Sequence, residues 1–200
     1  EDYDDIIKDN NNYMIYDMTV KYISKKMRCE SEIRKYLKSK EINDELSDRI
    51  ILKLRENGLL NDRDYVKSYI SDKVRLNNIG LNKIKSELYK LKLDKDIVDE
   101  EINNYSGEDI IDNLEKLIDK KIRTNRSYGG SLLKQKIITD FVNKGYNKKD
   151  IIDILNKKDL NNEDLYNKLY NKYKSKYSGS ELEYFIKQKL YSKGLKKSDD

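Results

Sequence analysis

Ser131–Tyr146 reads SLLKQKIITDFVNKGY, and Ser180–Leu195 reads SELEYFIKQKLYSKGL. With Phe141 set over Leu190, both stretches place isoleucine four residues before that anchor (Ile137, Ile186). Both place glycine four after it (Gly145, Gly194) and an apolar residue five after it (Tyr146, Leu195). Two earlier stretches fit the same frame: Ile33, Leu37 and Ile42, then Ile84, Leu88 and Leu93, with Glu41 and Lys92 where the later copies have glycine. The anchors lie 51, 53 and 49 residues apart, a period typical of stacked supersecondary units. Apolar residues recur at helical spacing, as in Ile33, Tyr36 and Leu37 or Ile151, Ile152 and Leu155, so each anchor sits on the inward face of a helix. Ser31, Asn82, Ser131 and Ser180 are cap-like residues ahead of these helices, and Ser180 with Glu183 has capping-box spacing. Gly80, Gly130 and Gly179 mark a turn before three of them. A helix end favours glycine where the chain turns left-handed, so the first two copies must close that turn differently or at some strain.

A preceding helix opens at Asp64-Tyr65-Val66, Asp109-Ile110-Ile111 and Asp164-Leu165-Tyr166, and a closing helix recurs at Asp44–Glu56, Lys95–Asn104 and Lys148–Asn156. The expected fold is all-α: tandem repeats of about 50 residues, each a three-helix unit, stacked into an elongated array. One such unit alone buries too little surface to be robust. The organisation read from this pattern is an acidic N-terminal segment at 1–17, repeats at 18–57, 58–105 and 106–157, and a partial fourth repeat with a basic tail at 158–200. Only the first 16 residues leave room for strand-like alternation.

Composition narrows the chemistry. Of 200 residues, 40% are charged and 36% apolar, and histidine, tryptophan, proline and alanine are absent. Without histidine there is no His-based triad and no His-ligated metal. The single Cys29 excludes an internal disulfide and a CxxC zinc site. With no charged-then-apolar leader at the start, the expectation is a reducing, cytoplasmic setting. No apolar run approaches the roughly 18 residues of a membrane span. Asp94, Asp96, Asp99, Glu100 and Glu101 read as a charged helix face or as the raw material of a two-carboxylate site. Gly129-Gly130 lacks the phosphate-loop frame; it is a turn and cap, or a place where free amides hold an anion. Cys29, beside Arg28, is an inert thiol or an activated one. No enzyme activity, cofactor or metal is expected.

Charge is unevenly spread. Residues 1–20 carry net −5, residues 120–149 net +8 with Asp140 as their sole acid, and residues 165–197 net +7. Such fields suit a polyanion or an acidic protein surface; a solvated lysine-rich face is the plain alternative. Tyr166, Tyr170, Tyr173 and Tyr177 follow at intervals of 4, 3 and 4 with lysines between them. They form either a buried seam or a row on which bases stack. Tyr128, in an expected loop beside Arg126, is the better stacking candidate.

Two stretches resemble the RecX family, bacterial regulators of the RecA recombinase. Tyr22–Leu37, YISKKMRCESEIRKYL, is similar to a family pattern of a short basic helix before E-[LI]-R-x-x-L. In Gly58–Leu93, Gly58-Leu59-Leu60-Asn61-Asp62, Tyr65, Lys73-Val74-Arg75, and Gly80 followed by Ile84, Glu87 and Leu88 match G-[YLW]-[LI]-[DN]-D, an aromatic, a basic helix and G-x-x-x-I-x-x-E-L. The likeness is specific over 18–105 and lies at the level of the repeat over 106–197. The family's usual glycine is replaced by Lys92, and its alanines are absent. The resemblance implies a curved array that lies, as a monomer, in the groove of a RecA filament on single-stranded DNA and limits recombination without chemistry of its own. The expected contact face comprises Arg28, Arg34, Lys35 and Lys38; Lys73, Arg75, Lys83 and Lys85; and Lys120, Lys121, Arg123, Arg126, Tyr128, Lys134 and Lys136. The rival readings are a direct nucleic-acid-binding repeat protein and a helical interaction scaffold.

Overall fold

The computed structural model describes residues 2–105, 107–125, 127–160 and 163–195. Among these the secondary structure is entirely α-helical, in eleven helices. They are α1 (Asp2–Ile23), α2 (Glu30–Ser39), α3 (Asp44–Glu56), α4 (Asp62–Arg75), α5 (Leu81–Lys90), α6 (Lys95–Asn104), α7 (Gly107–Thr124), α8 (Gly130–Asn143), α9 (Lys148–Leu155), α10 (Glu163–Tyr173) and α11 (Gly179–Ser192). The anchors fall on α2, α5, α8 and α11, so the repeat is helical and tandem. The opening residues belong to one continuous helix, α1, and the room left there for a strand is filled by helix.

The anchor frame has a physical basis in how each of these helices ends. The Ile42 amide bonds the Leu37 carbonyl (3.2 Å) and the Glu41 amide the Lys38 carbonyl (3.0 Å). The same paired bonds close α8 (Tyr146 to Phe141, Gly145 to Val142) and α11 (Leu195 to Leu190, Gly194 to Tyr191). This is the Schellman arrangement, in which the residue past the turn packs back on the helix. Anchor and apolar +5 residue are the two halves of that contact. The +4 residue is left-handed in every repeat: φ is 61° at Glu41, 57° at Lys92 and 89° at both Gly145 and Gly194. The first two repeats therefore make the same turn with a side chain, and bear its strain.

Two residues past that turn, Asn43, Asp94 and Asn147 cap α3, α6 and α9 with their side chains. The cap-like residues named from sequence do not cap: Ser31 and Asn82 lie within α2 and α5. The N-caps of α8 and α11 are Gly129 and Ser178, neither with a side-chain bond. At α5 and α8 the first amides are met by main-chain carbonyls instead. Gly80 and Asn82 donate to Lys144 and Gly145 (2.8 and 3.1 Å), and Gly129 and Ser131 donate to Lys193 and Gly194 (3.0 and 3.1 Å).

The chain divides into two compact bodies, residues 1–77 with 84–105, and residues 78–83 with 106–200. In the first, Ile33, Leu37, Ile50, Ile51, Leu54 and Leu60 form a core that Ile15, Tyr16, Val20 and Ile23 of α1 help cover. In the second, α7, α8 and α9 close around Leu114, Ile118, Leu133, Ile137, Phe141 and Ile151. Leu165, Leu169, Leu182 and Ile186 join α10 to α11.

Candidate nucleic-acid interface

The basic residues expected to face a partner separate into two classes. In the first body, Arg34 bonds Glu30 and Asp48, both at 2.6 Å, and Glu30 also takes Arg55. Arg28 pairs with Glu32 at 3.0 Å and lies over the Tyr22 ring at 4.7 Å. Lys73 is held by Glu87 (3.1 Å) and Lys85 by Asp99 (2.8 Å). The hydrogen bonds from Lys85 and then Tyr89 keep the Asp99 carboxyl below its ordinary range. These four cations are structural. Lys35, Lys38 and Arg75 in the same body are exposed, with no acid in reach among the described residues.

In the second body, Lys121 takes Asp140 at 2.8 Å, so the only acid of the basic stretch is already spent. Lys134 donates to the Asn156 amide oxygen at 2.7 Å. Lys83, Lys120 and Arg123 are exposed and unpaired among the described residues. Arg126 lies outside the described residues. Tyr128 is half-buried, with the Lys136 ammonium 4.4 Å and the Lys193 ammonium 5.6 Å from its ring centre. Around it Lys121, Thr124, Asn125, Ser127, Leu133 and Lys136 line a cleft of about 420 Å³. Asn125 shapes this loop: its side-chain oxygen accepts from the Ser127 and Tyr128 amides at 3.3 Å, and its amide donates to the Tyr128 carbonyl. An aromatic face flanked by two ammonium groups suits a base beside its phosphate.

The sequence pattern does not single out Lys193. It follows α11, 65 residues from Tyr128, and the Gly129–Lys193 main-chain bond brings it there. That bond also removes the anion site considered at Gly129–Ser131. The amides of Gly129, Gly130 and Ser131 are all occupied, by the carbonyls of Lys193, Leu160 and Gly194. The tyrosine row is split as well. Tyr173 and Tyr177 pack on Phe185 and the α10–α11 core. Tyr166 and Tyr170 are exposed, their rings 6.3 Å apart and 18° from parallel.

Cys29 is fully buried, and burial pushes its thiol up. The neighbouring Arg28 turns to Glu32 and Tyr22 instead of the sulfur, so the thiol is not activated. A disulfide reagent should therefore label native Cys29 at least ~100-fold more slowly than the urea-unfolded chain, because reaction waits on opening. Equal rates would show the thiol to be accessible. No three acidic or cysteine side chains come together as a metal site among the described residues, and no described helix is long and apolar enough to cross a membrane.

The chain has relatives among known proteins. Residues 16–54 match the family model described as RecX, first three-helix domain. Regulatory protein RecX of Bacillus cytotoxicus is 32% identical over 190 residues, covering 90% of this chain and 70% of the relative. Regulatory protein RecX of Lactococcus lactis subsp. lactis is 35% identical over 193 residues, covering 89% and 70%. The chain belongs to the RecX family. Two crystal structures of the family share its fold. A regulatory protein RecX superposes with a TM-score of 0.69 at 24% identity, over 76% of each chain. RecX from Lactobacillus salivarius gives 0.67 at 24%, over 74% of this chain and 96% of that one. As a RecX-family chain it is a regulatory protein, and its relatives are named as regulators, not as enzymes.

Proposed function

We propose that this RecX-family protein regulates the RecA recombinase by lying in the helical groove of a RecA filament on single-stranded DNA. There it limits filament growth or promotes disassembly, and so lowers ATPase, strand-exchange and co-protease activity. It acts as a monomer in the cytoplasm, by occupancy, with no chemistry of its own. The family relationship over nine-tenths of the chain carries this reading. The geometry supports it by leaving Lys35, Lys38, Arg75, Lys83, Lys120 and Arg123 exposed and without acidic partners, available to a filament surface that presents both protein and phosphate.

The test is RecA's single-strand-dependent ATP hydrolysis with this protein added far below one per RecA, at low and physiological salt. Progressive loss of hydrolysis, where the protein alone barely binds the strand, is the expected result. An effect appearing only once the protein saturates the DNA would support the reading that the Tyr128 cleft favours, direct strand binding. No effect at any ratio would overturn both.

A further inference from the structure

Tyr128 and Lys136 belong to the third repeat, whereas Lys193 follows α11 in the fourth. The two ammonium groups nonetheless lie 4.4 and 5.6 Å from one ring centre. What brings them together is the joint on which α8 starts. There the Gly129 amide donates to the Lys193 carbonyl (3.0 Å) and the Ser131 amide to the Gly194 carbonyl (3.1 Å). The Lys193 ammonium also donates to the Ser127 carbonyl at 3.3 Å, within the loop that carries Tyr128. The cleft beside the ring is therefore built by two repeats and is complete only while that joint is closed.

The same joint is made elsewhere in the chain without these side chains. Gly80 and Asn82 donate to Lys144 and Gly145 at 2.8 and 3.1 Å. Counted from Gly80 as Tyr128, Lys136 and Lys193 are counted from Gly129, the residues are Ile79, Glu87 and Lys144. The ring is gone, and one of the two cations is replaced by an acid, which Tyr69 (2.7 Å) and Lys73 (3.1 Å) take up. Joining two repeats thus needs neither the ring nor the converging cations. Tyr128 and Lys136 are surplus to the joint, and what they share is chemistry for a ligand. Asp140, the one acid among the described residues that line the cleft, is bonded to Lys121 at 2.8 Å, which leaves Lys136 and Lys193 to an anion.

We propose that the cleft holds one nucleotide, its phosphate on Lys136 and Lys193 and its base on Tyr128, and that occupancy fastens the fourth repeat to the third. A phosphate accepts charge-assisted bonds from both ammonium groups, and an aromatic ring stacks a base of any identity. The volume of about 420 Å³ is on the scale of small-ligand pockets. Because the ligand touches both sides of the joint, it binds the closed form in preference to the open one and draws the equilibrium towards closure. The nucleotide is a unit of a single strand or a free molecule, and the test separates the two. The proposal rests on the nucleic-acid reading of the Tyr128 cleft and not on the RecA reading.

The test is amide exchange followed by NMR on the full chain without RecA, with an oligothymidylate or thymidine monophosphate added. At about ten times the Kd, measured separately by anisotropy or titration, exchange of the Gly129 and Ser131 amides should slow by ~10-fold. The Gly80 and Asn82 amides of the other joint should not change. Slowing with both probes would show that one nucleotide suffices, and slowing with the oligomer alone would assign the site to the strand. Lys136→Gln should cut the slowing by ~3-fold or more at the same oligomer concentration. The double variant Tyr128→Ile, Lys136→Glu copies the other joint, so its ligand-free exchange should stay as in the native chain and its response to ligand should vanish. Strand binding with unchanged exchange at Gly129 and Ser131 would overturn the proposal and leave strand binding standing. Equal slowing at both joints, or slowing that persists in the double variant, would also overturn it. Absence of binding by either probe would remove the nucleic-acid reading with it.

Discussion

Gly145→Ala should lower the stability of the second body by about 3 kcal/mol, a loss of roughly 6–12 °C in Tm for a chain of this size. Two causes add. The residue sits at φ 89°, where an L side chain is strained. The new Cβ would also stand 2.4 Å from the Lys83 Cβ and 2.5 Å from the Lys83 amide nitrogen. Backing away would stretch the bonds from Gly80 to Lys144 and from Asn82 to Gly145, so the strain has no cheap exit. Gly194→Ala should behave alike, because its Cβ would meet the Gly129 carbonyl at 2.5 Å and the Leu132 amide at 2.6 Å. Lys92→Gly should do the reverse. Lys92 bears left-handed strain, and glycine should stabilise by ~0.5–1 kcal/mol, the relief of strain less the extra freedom of the unfolded chain. Urea denaturation of the three variants checks the pattern. Equal, small effects for all three would mean that the close approach does not bear on stability.

Tyr128→Ala should weaken single-strand binding by roughly 10-fold at every salt concentration, the worth of one stacked base. Lys120→Glu and Arg123→Glu should act differently. Each removes a free cation, and each should shallow the slope of log affinity against log salt by about 0.7 for every phosphate that is no longer neutralised. Lys73→Gln, whose native cation is committed to Glu87, should leave that slope unchanged. The contrast separates stacking from charge. It also tests the division of the basic residues into structural and available cations. If Lys73→Gln and Arg123→Glu shift the slope equally, the intramolecular pairs do not withhold charge from the strand.

The parts of this molecule that repeat are readable from sequence, because a repeat exposes what each position must do. The Ile137–Phe141–Tyr146 and Ile186–Leu190–Leu195 frames are core contacts and helix stops, and both leave residue types at fixed offsets. The left-handed turns at Glu41 and Lys92 are readable as a problem, and the structure solves it with strain. What stays hidden depends on partners distant in sequence. The charge of Arg34 is spent on Asp48, that of Lys85 on Asp99 and that of Lys121 on Asp140. A count of net charge does not say which cations are the paired ones. Lys193 joins Tyr128 only through a main-chain bond, which no side-chain pattern announces. The expected caps fall elsewhere for a related reason. At α5 and α8 the first amides find carbonyls of another turn, so no capping side chain is required.

The two main-chain joints have a consequence for how such a protein changes over time. Gly80 meets the Lys144-Gly145 turn, and Gly129 meets the Lys193-Gly194 turn, with the paired glycines 65 positions apart in both. Apart from the glycines, each joint is made of atoms common to every amino acid. A duplicated or deleted repeat carries its own connector, and no complementary side chains need to arise with it. Copy number can then drift independently of surface chemistry, and the exposed residues of each copy can specialise without loosening its attachment.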